Sequence, residues 1–171
     1  MNKLFEAIND QINAEMFSAY LYQAMAADLE DKGFTGIAHW FTAQAQEEMI
    51  HAMKFYRYII ERGEKVTLKA IEAPQATWKD AKTAFSAALE HEKYITARIN
   101  NLVKLARKAD DYATEIMLHW FVTEQVEEEA HANEILAKIK LMGAAPNAMY
   151  LLDRELGARP IPFTMPVNTA D

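Results

Sequence analysis

Cysteine is absent from the 171 residues, which removes disulfide frameworks, thiolate zinc sites, iron–sulfur ligation and cysteine nucleophiles from consideration. Any metal ligand must come from oxygen or imidazole. Helix breakers are scarce: five prolines and five glycines punctuate the whole chain, and no proline precedes Pro74, so long uninterrupted helices are expected. Basic residues are in deficit, 18 Lys and Arg against 25 Asp and Glu for a net charge of −7, which argues against a nucleic-acid footprint. No apolar run reaches the length of a membrane span, and Met1 to Glu6 scatters charges among its apolar side chains, unlike a signal-peptide core. The expectation is one acidic domain over 1–171, cytoplasmic, with neither nucleic-acid nor membrane partners.

What the chain does have is helical periodicity. Over 3–31, Leu4, Ile8, Ile12, Glu15, Ala19, Tyr22, Ala26 and Leu29 step by three and four along one helix face. Ile37, Phe41, Ala45, Glu48, Ala52, Phe55 and Ile59 do the same over 35–62. After an aperiodic stretch from 64 to 77, Trp78, Ala81, Phe85, Leu89, Glu92, Ile95, Ile99 and Leu102 mark a helix over 78–108. Met117, Phe121, Gln125, Glu128, Ala132, Ile135, Ile139 and Met142 carry a fourth over 111–142. A short segment over 146–157 repeats the spacing, and 158–171 reads as an irregular tail. The stretch from 64 to 77 can span about 46 Å if extended, the length of a long helix, whereas the other links allow only tight reversals. This predicts an all-α four-helix bundle, two antiparallel hairpins joined by one long crossover, with a short fifth helix.

Each stripe contains one anomaly, a glutamate near mid-height: Glu15, Glu48, Glu92 and Glu128. An inward charge is costly unless paired, and Arg57, Arg62 and Arg98 fall away from these levels, so a metal ion is the expected partner. Glu48 and Glu128 are each followed three residues later by histidine, His51 and His131, which places carboxylate and imidazole on one face. One Glu from each of two helices beside a Glu-x-x-His from each of the others is the donor set of dinuclear carboxylate bundles, and mixed oxygen and imidazole suits iron or zinc better than magnesium.

Ala45-Gln46-Glu47-Glu48-Met49-Ile50-His51 and Trp120 to Glu129, with Asn13-Ala14-Glu15, Tyr22-Gln23 and His91-Glu92, resemble a bacterial non-haem ferritin, along all but the tail from about 159. The resemblance implies iron storage: Fe(II) oxidised by dioxygen or hydrogen peroxide at a ferroxidase centre, and ferric mineral deposited in a homo-oligomeric shell of 24 subunits. It implies that Glu15, Glu48 and His51 hold one iron, that Glu48 bridges to a second held by Glu92, Glu128 and Gln125, and that Glu47, Glu124 and Glu127 form a third site. It reads the fourth-helix pair as Gln125-x-x-Glu128, which leaves His131 a polar histidine and not a ligand. Tyr22 matches the tyrosine beside the ferritin centre, able to give an electron or a hydrogen bond; a core tyrosine is the alternative. Trp120 matches a redox-active tryptophan, with core packing the preferred reading. His39, His91 and His119 match no ligand position and are expected as partly exposed. Glu115, Asp110 and Asp111 fall where ferritins line their threefold channels, or simply charge a helix N-terminus.

Met49 stands where bacterioferritins bind haem, but non-haem ferritins also carry methionine there, so haem through Met49 is the lesser alternative. A second alternative is a helical bundle whose carboxylates bind a structural metal without turnover. A rubrerythrin-type peroxidase would need the missing cysteines. The fifth segment argues against the twelve-subunit mini-ferritins, which lack it.

Overall fold

The computed structural model describes residues 3–143, 145 and 147–163. Five helices and no strands occur among them: α1 (Lys3–Asp31), α2 (Thr35–Glu61), α3 (Ala81–Lys108), α4 (Tyr112–Met142) and α5 (Ala148–Leu156). At about 1.5 Å per residue the first four are each roughly 40–46 Å long. None is long and apolar enough to cross a membrane. Residues 164–171 of the expected tail, and Pro146 at the expected start of the fifth helix, lie outside the described residues.

Local chemistry sets the reversals. Gly33 adopts φ 83° just beyond α1, and Phe34 N–H bonds back to Leu29 O at 2.9 Å, closing the helix end. Between α3 and α4 the left-handed residue is Asp110 at φ 51°, while Asp111 N–H returns to Ala106 O at 3.0 Å. An aspartate tolerates that conformation better than most side chains do. The third helix begins at Ala81, not at Trp78. Asp80 and Thr83 cap it reciprocally, each side chain accepting from the other's backbone N–H. The Trp78 side chain is still buried in the core, and the residue's backbone N–H donates to Asp28 Oδ2 at 3.0 Å, so the apolar stripe continues past the helix start.

The crossover runs up α1. Asn9 exchanges bonds of 2.7 and 2.8 Å with the Thr67 backbone, Asn13 Nδ2 bonds Ala70 O at 3.3 Å, and Asp28 holds Trp78. Residue numbers rise together on the two segments, so the crossover runs parallel to α1 from Asn9 to Asp28. Between helices the partners run in opposite order. Gln11 and Tyr22 of α1 meet Arg98 and Glu92 of α3, and Gln44, Tyr58 and Arg62 of α2 meet Glu128, Thr114 and Asp111 of α4. Both pairs are therefore antiparallel.

No side chain of its own caps α2 at the start. Asp153 Oδ1 of α5 accepts the Ile37 N–H at 2.9 Å instead. Only glycine fits at 36, because a Cβ there would sit 1.8 Å from the Asp153 carbonyl oxygen. The core divides in two. Tyr22, Met25, Trp40, Phe41, Phe85 and Ile135 belong to one apolar cluster, and Phe5, Ile8, Phe55, Ile99, Leu118 and Phe121 to the other. A layer of buried polar side chains lies between them.

Candidate metal centre

Glu15, Glu48, Glu92, Gln125 and Glu128 all lie in that layer and are all buried, one or two from each of the four helices. His51 joins them from the turn after Glu48, its Nδ1 3.5 Å from Glu48 Oε2. One oxygen each of Glu15 and Glu48 and one ring nitrogen of His51 lie within 4.8 Å of one another. Ligands at ~2.1 Å from a single ion sit about 3–4 Å apart, so a small contraction would close the set on a cation. On the other side of Glu48, Gln125 Nε2 donates to Glu92 Oε2 at 3.0 Å, and the Tyr22 hydroxyl donates to Glu92 Oε1.

The electrostatics leave a cation wanting. Glu15 is raised from 4.5 to about 7, first by burial, against the opposing bond from Gln11. Burial pushes Glu48 well up, and the charges of Glu92, Glu15 and Glu128 push it further. Glu92 is raised by burial. Glu128 rises to about 8, through burial and then the Glu92 charge. His51 moves the other way, to about 4, because burial disfavours its cation. It is a neutral imidazole at neutral pH, with a lone pair free to ligate. Glu15 Oε2 is buried and receives no hydrogen bond. Four carboxylates that resist ionising together, an acceptor with no donor and a neutral histidine are what a divalent or trivalent cation would satisfy.

Two amides in this layer escaped the sequence reading. Gln11 Nε2 donates to Glu15 Oε1 at 2.9 Å, and Gln44 Nε2 to Glu128 Oε2 at 2.6 Å. Each stands four residues before a buried glutamate, and this repeated Gln-x-x-x-Glu spacing was the available signal. Arg98 also lies closer to the site than its stripe position suggests. Its Nε donates to Gln11 Oε1 at 2.8 Å, and its charge lowers Glu15 through that one intervening amide.

A family model for a ferritin-like domain matches residues 5–142. The chain belongs to the ferritin family. It is 41% identical over 156 residues to the bacterial non-heme ferritin of Staphylococcus aureus (strain USA300), covering 91% of this chain and 94% of that one. The bacterial non-heme ferritin of Staphylococcus haemolyticus (strain JCSC1435) is 42% identical over the same coverage. Among solved structures, an open-pore ferritin from the hyperthermophilic archaeon Archaeoglobus fulgidus superposes with a TM-score of 0.92 at 44% identity, covering 94% of this chain and 99% of that one.

Around the centre of this ferritin the remaining expected residues fall into distinct settings. Glu124 is raised by partial burial and by the charges of Glu127 and Glu47, and its Oε1 comes within 3.8 Å of His51 Nε2, but among the described residues these three acids do not converge as Glu15, Glu48 and His51 do. Glu47 already has a partner, the Arg159 guanidinium at 2.6 Å. His131 is exposed, and its charge acts on Glu124. Trp120 is 38% exposed, which corrects the expected core position: Lys54 Nζ lies 3.1 Å over its ring, and its other neighbours are His51 and Phe121. His91 is largely enclosed, bonded to Ser18 Oγ at 2.7 Å and edge-on to Tyr22. Met49 is 39% exposed, beside a groove lined by Met16, Tyr20, Ile71 and Phe163. Asp111 caps α4 and binds Arg62 at 2.8 Å, and Glu115 binds Arg107 at 2.7 Å, so local roles account for these charges within one subunit.

Proposed function

We propose that this ferritin stores iron in the cytoplasm. It oxidises Fe(II) at the buried centre and deposits ferric mineral inside a shell of 24 copies. The observation that carries the reading is the convergence of Glu15, Glu48 and His51 on one point, with Glu92, Gln125 and Glu128 beside it and no lysine or arginine among them. Iron is the substrate. Glu15, Glu48 and His51 hold the first ferrous ion, Glu48 bridges to a second held by Glu92, Glu128 and Gln125, and Glu47, Glu124 and Glu127 receive iron on its way to the cavity.

Two ferrous ions give up one electron each, and dioxygen takes the pair with two protons as hydrogen peroxide; peroxide itself, taking two electrons and two protons, leaves as water. The protein contributes distance and dryness. Binding the ions displaces the protons that Glu15, Glu48 and Glu128 hold near neutral pH, since a bound cation favours the charged form. Tyr22, whose hydroxyl is pushed well above its ordinary range by burial and by the Glu92 charge, keeps its proton and steadies Glu92.

The test is an anaerobic Fe(II) titration of the iron-free protein followed by oxygen, with particle size measured in parallel. Two or three ions per chain, rapid oxidation and an electron-dense core in a large shell are expected, and Glu48→Ala should abolish the rapid phase while leaving a folded bundle. Rapid oxidation unchanged in Glu48→Ala would remove the centre from these residues. Tight Zn(II) binding without iron oxidation would favour the structural bundle.

A further inference from the structure

The segment after α5 returns across α2 and ends beside the acids of the third iron site. Arg159 supplies the contact: its Nη2 is 2.6 Å from Glu47 Oε2, and the two side chains are only 17% and 29% exposed. The guanidinium also lies 4.7 Å from the Trp40 ring centre, and the Arg159 carbonyl oxygen meets His39 Nε2 at 2.7 Å. Four residues further on, Phe163 N–H donates to Gln46 Oε1 at 3.1 Å. The strap is thus tied to α2 beside the residue that precedes the bridging glutamate.

We propose that Arg159 is a resident cation in the third iron's place, neutralising Glu47 until an incoming iron ion displaces it and frees the strap over residues 158–163. The inference rests on the third-site reading of Glu47, Glu124 and Glu127. Three features make the exchange favourable. Glu124 feels the charges of Glu127 and Glu47, which Lys54 and His131 offset only in part, and Arg159 pairs with Glu47 alone of the three, whereas an iron ion brings two or more charges to all of them. Arg159 is incompletely satisfied, because its Nη1 is buried with no hydrogen-bond partner, so its departure gives up the Glu47 and Trp40 contacts but relieves a buried unpaired donor. Beyond the guanidinium the strap has two single hydrogen bonds to α2, at His39 and, exposed, at Phe163, whereas its base is anchored through Asp153 and the close packing of Gly157 on Gly36. Release therefore hinges just beyond α5 and leaves that helix in place.

Zn(II), which binds without redox chemistry, is the probe. Calorimetric titration of iron-free wild type, Arg159→Gln and Arg159→Lys is paired with hydrogen exchange over residues 157–163. The third Zn(II) should bind on the order of tenfold more tightly to Arg159→Gln than to wild type, a coupling of ordinary size, with Arg159→Lys close to wild type. In wild type the third equivalent, and not the first two, should accelerate exchange at the Phe163 amide; this readout needs no variant to fold. Equal third-ion affinity in all three proteins with no change in exchange would overturn the latch and leave the third site standing. Only two equivalents in every protein would remove the third site itself, and the latch with it.

Discussion

Glu48→Gln in the metal-free protein should stabilise the fold while destroying the centre. The substitution keeps the shape, removes the charge that Glu15, Glu92 and Glu128 oppose, and keeps a donor toward Glu15 that does not depend on protonation. The scale comes from Glu15: a rise from 4.5 to about 7 at a fully buried carboxyl corresponds to roughly 3 kcal/mol. The folded-state values of these glutamates lie above their unfolded values. Their contribution to stability is therefore complete below pH 4.5 and is lost as the pH climbs through about 7 at Glu15 and about 8 at Glu128. Chelator-treated wild type should accordingly weaken from pH 5 to pH 8. Glu48→Gln should weaken less and be more stable than wild type at pH 8 by roughly 2–3 kcal/mol. Guanidinium unfolding at both pH values, at equal protein concentration because assembly adds to stability, measures the difference. A variant no more stable than wild type at pH 8, or a wild type whose stability does not fall with pH, would refute the reasoning.

Tyr22→Phe leaves Glu92 without its hydroxyl donor, and stopped-flow oxidation should slow about tenfold, the scale of one hydrogen bond to a charged group, with binding of the first two ions retained; an unchanged rate would make Tyr22 a packing residue. His131→Ala, at an exposed position, should leave initial rates within a few-fold of wild type, and a collapse would restore it as a ligand. Gly36→Ala drives a Cβ into the Asp153 carbonyl, so α5 should undock and the α2 N-terminus lose its cap, at a cost of about 1–2 kcal/mol for the cap alone. Rapid hydrogen exchange over 148–156 would report it.

The bundle was legible because its signals are periodic and its anomalies are few. Glu15, Glu48, Glu92 and Glu128 stand out only against stripes otherwise made of apolar side chains, and a charge in such a stripe has to be answered. Gln11 and Gln44 went unnoticed because an uncharged amide in a stripe raises no such demand, though each orients a carboxylate. Trp78 fits the third stripe and is buried, yet lies outside the helix, since burial is decided by packing and helix onset by the Asp80 cap. Trp120 was misplaced for the opposite reason: a large aromatic next to Phe121 reads as core, but neighbouring helix positions point about 100° apart. Arg159 could not be found from pattern at all. Its partner Glu47 is 112 residues away, and the tail that carries it has no period.

The split core has a thermodynamic consequence. The two apolar clusters are joined by a layer of groups that repel one another whenever all are ionised. Each end of the bundle is well packed, and the seam between them is the weakest element of cohesion in the metal-free chain. Two cations held as proposed would between them reach all four helices and turn that repulsion into attraction. Iron bound there would be the rivet that lets the two ends melt as a single cooperative unit, so loading the protein would change how it comes apart as well as what it carries.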